Sequence, residues 1–292
     1  MHSPFEHCAA ASLGQPSHTA VSGPVGVVSP HMDDAALSCG QLLSASPGSH
    51  VVTVFSGGPA RVRPLPWWDK MSGFFQPGDD VMALRAVEDD DAWAGAGLHG
   101  HRLGFWDEQY RQGRPVALAR LRPRAVRAAQ ARVDDPSVDE AVYEMLRTVI
   151  DELGLQTWLV PLGLWHGDHK KTARACLRLA RSMPDRRWVV YEELPYRLEV
   201  PLEVSDAKAR LRAVGFAIEP AVLPSAPDSS RKRAMLDCYR SQLPCLGARA
   251  YAAVTGPEVF HHLSDRSDRS DQASPGGVPT DEERPSARPA LP

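Results

Sequence analysis

Two short stretches of the chain gather the side chains that can do chemistry. The first, "VGVVSPHMDDAALSCG" (residues 25–40), places His31, Asp33 and Asp34 directly after an apolar run. The second, "VPLGLWHGDHKKT" (residues 160–172), does the same with His166, Asp168 and His169. One aspartate after a strand is explained by the cap it offers the next helix, where its carboxylate accepts free N–H groups at the positive end of the dipole. Either Asp33 or Asp34 can serve that way. A second carboxylate and a histidine are left over, and two carboxylates this close repel unless a proton or a cation lies between them. Imidazoles and carboxylates together suit Zn2+ or a similar divalent ion, so the two stretches predict a metal site wherever the fold brings them together.

The elements that must position them are legible as well. Val-rich apolar runs alternate with helical patterns, the signature of βαβ units and a largely parallel sheet. Strands are expected at residues 25–29, 50–55, 100–105, 157–161 and 188–191, and helices at 35–45, 81–96, 138–153 and 169–181. The expected fold is therefore α/β, a Rossmann-like three-layer arrangement with a mostly parallel sheet. In such sheets ligands bind beyond the carboxyl ends of the strands, where both stretches lie. The same rule puts Asp107 at a pocket and His99 and His101 at the wrong end of their strand, as surface residues. No glycine fingerprint for phosphate follows the first strand, which argues against NAD.

Three segments stand outside this pattern. Residues 57–80 are long for a connection and carry Trp67, Trp68, Phe74 and Phe75; such aromatics serve either as a ligand wall or as the plug of a satellite core. Residues 1–22 are expected to be loose, 23–263 to form one domain, and 264–292, rich in Ser, Asp, Arg and Pro, to be a disordered tail. His261 and His262 lie next to that tail and could take up stray metal.

Bulk properties narrow the classes of function. A chain of 292 residues, 43% hydrophobic, can bury a sizeable core, yet no apolar run is long enough to span a bilayer. A net charge of -3 argues against nucleic acid as the main partner, with a local basic patch around Arg120 to Arg132 as the exception. The N-terminus lacks the charged and apolar regions of a secretory signal, so a cytoplasmic location is expected. The cysteines, Cys8, Cys39, Cys176, Cys238 and Cys245, are scattered without CxxC spacing and read as free thiols, mostly buried.

The paired stretches resemble the motifs of the LmbE-like, or PIG-L, zinc-dependent N-deacetylases. "PHMDD" (residues 30–34) is similar to that family's Pro-His-x-Asp-Asp motif and "HGDH" (166–169) to its His-x-Asp-His motif. "RAVEDDDAWAGAG" (85–97) resembles its Arg-x-x-Glu helix and "KRAMLDCYRSQ" (232–242) its C-terminal Lys...Ser-Gln helix. The resemblance implies one Zn2+ per chain, or another divalent ion, on His31, Asp34 and His169, with Asp33 as general base. It implies His166, oriented by Asp168, as oxyanion partner, with His166 or Asp33 as acid to the leaving amine. Arg85, Asp107, Trp67 and Trp68 are then candidate substrate contacts. The implied substrate is a small-molecule N-acyl amino-sugar conjugate of N-acetylglucosamine type, as in glycopeptide antibiotic tailoring or mycothiol-like metabolism, and a homo-oligomer is compatible with it. Met32 and Gly167 stand where relatives often have proline, and Leu164 where several place a polar residue. Two other readings compete: an acidic-pocket Mg2+-dependent phosphoacceptor or regulatory domain, and a catalytically inactive sugar-binding relative.

Overall fold

The computed structural model describes residues 23–111, 136–194, 196–223, 229–247 and 256–266. Its strands are β1 (Gly26–Ser29), β2 (His50–Thr53), β3 (His99–Arg102), β4 (Thr157–Pro161), β5 (Arg187–Tyr191), β6 (Phe216–Ala221) and β7 (Phe260–Asp265). They form one sheet in the order β3-β2-β1-β4-β5-β7-β6. The first five run parallel, while β7 pairs antiparallel with both β5 and β6. Because β1 leads to β2 on one side and its other neighbour is β4, strand order reverses between β1 and β4. A crevice opens there at the carboxyl ends.

The helices that matter for the site are α1 (Asp34–Ser44), α2 (Trp67–Ser72), α3 (Val81–Ala96), α4 (Glu108–Arg111), α5 (Pro136–Leu153) and α6 (Gly167–Ser182). Further along come α7 (Tyr196–Glu199), α8 (Pro201–Ala213), α9 (Ser230–Leu236) and α10 (Leu243–Leu246). Side chains alternate across the sheet, and this splits the core in two. Val27, Val51, Leu159 and Val189 pack against α1, α3 and α9. Val28, Val52, Val160 and Val190 pack against α5, α6 and α8. The result is the expected three-layer α/β fold, and its central strands are apolar on both faces because both are covered. Gly26 is required where it stands: a Cβ would meet the Trp158 ring at 2.4 Å.

Several expectations need correction. β6, β7 and α8 were not expected from the sequence pattern. The tail boundary expected at 264 falls inside β7, whose pairing with β6 reaches Asp265. His261 lies in that strand and bonds Glu192 at 2.8 Å, so it is a sheet residue rather than a stray metal ligand. The segment 57–80 contains α2, and Phe75 is buried with Val62 and Val81 in a satellite core, while Trp68 packs on the main core. The stretch 232–242 is not one helix, since α9 ends at Leu236 and Ser241 lies beyond it. Cys39 and Cys176 are buried free thiols, but Cys238 and Cys245 are only half-buried. Cys8 and the Arg120 to Arg132 patch lie outside the described residues. No helix among them is long and apolar enough to cross a membrane.

Candidate metal centre

Ser29, the last residue of β1, shapes the first motif. Its hydroxyl accepts the Ala35 N–H at 3.1 Å and donates to the His31 carbonyl at 2.6 Å. It thus takes the capping role expected of an aspartate. Asp33 makes no capping bond and sits at φ 147°, a conformation that L residues rarely adopt. Asp34 folds back to accept the His31 N–H at 2.9 Å. Both carboxylates are thereby left for other work, and the strained backbone at Asp33 is of the kind that clusters at functional sites.

The second motif follows β4 through a tight turn, with Gly163 at φ +86° and Trp165 at φ 55°. A side chain at Gly163 would bring its Cβ within 2.8 Å of Ala173. His166 caps α6, its Nδ1 accepting the Asp168 N–H at 3.3 Å. This bond places the ring hydrogen on Nε2.

The crevice unites the two motifs. The imidazoles of His31, His166 and His169 lie 4.8 to 5.7 Å apart by ring centroid. Asp34 Oδ2 is 3.3 Å from His31 Nδ1 and 3.1 Å from His169 Nε2. His31, Asp34 and His169 each offer one ligand atom, all within 4.8 Å of one another. His169 is fully buried, and its Nε2 is aligned for no hydrogen bond. Two imidazoles, one of them with an orphaned buried nitrogen, and a carboxylate fit a divalent ion. The overlapping groups His31, Asp107, His166 and Glu108, His166, Asp168 also keep their ligand atoms within 4.8 Å of one another, so several carboxylates share the crevice.

Asp168 departs from its expected role. Its carboxylate takes His31 Nε2 at 3.2 Å and pairs with Arg111, whose guanidinium lies 4.7 Å from the Phe55 ring centre. The hydrogen bond from Asp168 to His166 comes from its backbone N–H; the carboxylate paired with His166 Nδ1 is Glu108, at 3.6 Å.

Electrostatics follow from these contacts. Burial pulls the pKa of His169 down, but Asp34 and Glu193 outweigh it and raise it to about 9. Burial also opposes charge on His31, yet Asp107, Asp168 and Asp34 hold its pKa well above the usual value. His166 is lowered, first by burial and then by His31. Asp34 and Asp168 are held far below the usual range: burial opposes this, but His169 and His31 dominate around Asp34, and His31 and His166 around Asp168. Burial, and next the Asp34 charge, push Asp33 well up. Both disfavour the ionised form of Asp33, and a divalent charge beside it would act in the opposite direction.

The expected substrate contacts are placed unevenly. Arg85 is only 4% exposed, its guanidinium 3.1 Å from Asp69 and 3.9 Å from Asp107. Asp107 in turn lies 3.9 Å from His31 Nε2 and borders the centre. Trp67 and Trp68 stay half-buried with rings 6.3 Å apart. Asp69, the next residue of α2, is the one buried against Arg85, Tyr110 and Gln109. Glu88 receives both the N–H and the hydroxyl of Ser241, so the Arg-x-x-Glu and Ser-Gln motifs meet in space.

Asp69, Glu108, Arg111, Tyr196 and Glu193 escaped sequence reasoning. Tyr196 stands 4.9 Å from His169, ring to ring. Glu193 is the second residue past the carboxyl end of β5, so the strand-end rule applied to one more strand would have found it.

No family model matches the chain, and no curated protein matches it by sequence. Solved structures do share its fold. A triple mutant of a deacetylase from the teicoplanin biosynthetic pathway superposes with a TM-score of 0.61 at 20% identity, over 84% of this chain and 99% of that one. The A40926 pseudoaglycone deacetylase Dbv21 gives 0.59 at 20% identity, over 83% and 98%. The zinc-inhibited form of teicoplanin deacetylase Orf2 gives 0.54 at 21%, over 82% and 97%.

Proposed function

We propose that this chain is a metal-dependent hydrolase that removes an N-acyl group, foremost acetyl, from an N-acetylglucosamine-type sugar conjugate, in the manner of the LmbE-like deacetylases. The observation that carries the reading is the convergence of His31, Asp34 and His169 in the crevice between β1 and β4, with Asp33 beside them but outside the triad. Supporting it, the fold is shared with deacetylases of teicoplanin biosynthesis, one of them in a zinc-inhibited form, and with the A40926 pseudoaglycone deacetylase.

His31, Asp34 and His169 would hold Zn2+. A bound zinc ion supplies Lewis acidity, polarising the amide carbonyl and lowering the pKa of water toward about 7. Asp33, once ionised, takes the proton of the attacking water. His166 is neutral with its hydrogen on Nε2, and that N–H is its donor for the developing oxyanion. Asp168 holds His31 by Nε2. The exposed Met71 and Phe74, with Trp106 beside Asp107, offer apolar surface for a bulky aglycone, as in natural-product tailoring.

The test is to incubate the zinc-loaded chain with a panel of N-acetyl glycosides, from free N-acetylglucosamine to glycopeptide conjugates, and follow free amine and acetate. Stoichiometric release from at least one conjugate is expected. A zinc-loaded protein that releases neither from any of them overturns the reading. Binding of Mg2+ in place of zinc, with uptake of a phosphoryl group, would favour the phosphoacceptor alternative.

A further inference from the structure

Glu193 is fully buried, and its carboxylate has an unusual set of partners. Oε1 accepts the N–H groups of Gly163 at 2.8 Å and Leu164 at 3.0 Å and lies 3.3 Å from His169 Nδ1. Oε2 accepts the Leu162 N–H at 3.2 Å. Among the described residues its only ion-pair partner is His169. A buried carboxylate without Lys or Arg is costly. The turn alone needs acceptors and no charge; the imidazole is the one partner that responds to it.

We propose that Glu193 is the positioning residue of the centre, holding a hydrogen of His169 on Nδ1 so that Nε2, on giving up its own proton to an ion, turns its electron pair toward Asp34 and His31. The same carboxylate fixes the 162–164 turn that delivers His166, so one group sets the aim of one motif histidine and the approach of another. The inference rests on the metal reading given above. A carboxylate behind a metal-binding imidazole raises its basicity and fixes its tautomer, and losing it typically costs about 10-fold to 100-fold in metal affinity.

The experiment uses the full chain, wild type and Glu193→Gln, which keeps acceptors for the turn and removes the charge. Zn2+ affinity is measured by competition with a chromophoric chelator, and the imidazole N–H proton of His169 is followed by NMR with and without zinc. The variant is expected to bind zinc about 10-fold to 100-fold more weakly, and its N–H resonance to move upfield and exchange faster with water. Wild-type affinity together with an unshifted resonance overturns the proposal and leaves Glu193 a staple of the turn. Should Glu193→Gln fail to fold, Glu193→Asp keeps the charge but withdraws it from His169; the same weakening is expected, and unchanged affinity overturns the proposal. A wild-type chain that takes up no zinc refutes the metal reading instead, and the resonance of the metal-free protein then decides the Glu193 contact separately.

Discussion

Three histidines gather at each end of the same sheet, and they behave in opposite ways. At the carboxyl ends, His31, His166 and His169 stand among Asp34, Asp107, Asp168 and Glu193. At the amino ends of β2 and β3, His50 contacts His101, with Nδ1 to Nε2 at 2.9 Å, and His99, ring to ring at 4.7 Å. No metal-like grouping includes that second cluster among the described residues. Burial and then neighbouring histidines lower the pKa values of His50 and His101. At the first cluster the carboxylates win over burial and raise His31 and His169. Imidazoles alone therefore disfavour charge, and carboxylates convert the same side chains into a charged cluster whose donors suit a divalent ion.

The comparison is broken most severely by removing a ligand. Asp34→Ala or His169→Gln should abolish zinc uptake and lower deacetylation by more than the roughly 100-fold that loss of a supporting partner costs, as read by metal analysis and amine release. Asp33→Asn comes next: turnover should fall about 10²-fold to 10⁴-fold, the range for general base catalysis, with zinc content unchanged. Full activity in that variant would remove Asp33 from the mechanism.

The two clusters also predict opposite pH slopes in the metal-free protein. His169 has a folded pKa of about 9 against an ordinary 6.5, so its contribution to stability is present below 6.5 and is lost as pH rises toward 9. His50 and His101 are lowered, so the folded state disfavours their protonation and stability falls as pH drops below 6.5. Denaturant titrations across pH 5 to 9 should show His169→Gln flattening the alkaline limb and His101→Gln the acid one. Zinc must displace the His169 proton, so zinc affinity should climb with pH through this window. Smallest of all, His50→Gln should leave neutral-pH stability within about 0.5 kcal/mol and deacetylation unchanged.

Much of this architecture was legible in the sequence. β1 and β4 are continuous apolar runs because both their faces are buried, and α3 and β4 fall at the bounds their periodicity predicts. β7 was not, because "FHHLSD" is a polar strand near the sheet edge, and α8 carries little apolar pattern to distinguish it. Within the site, spacing brought the two motifs together but could not say which way each side chain turns. His166 curls back onto the start of its own helix, and this frees the Asp168 carboxylate for His31. Arg85 is answered by Asp69, a residue inside what the sequence presents as a loop.

The most direct measurement is zinc stoichiometry in three proteins: wild type, the His50→Gln/His99→Gln/His101→Gln variant, and His169→Gln. The account predicts one tightly held zinc in the first two and none in the third. Zinc retained by His169→Gln, or lost on removing the amino-end histidines, would contradict it.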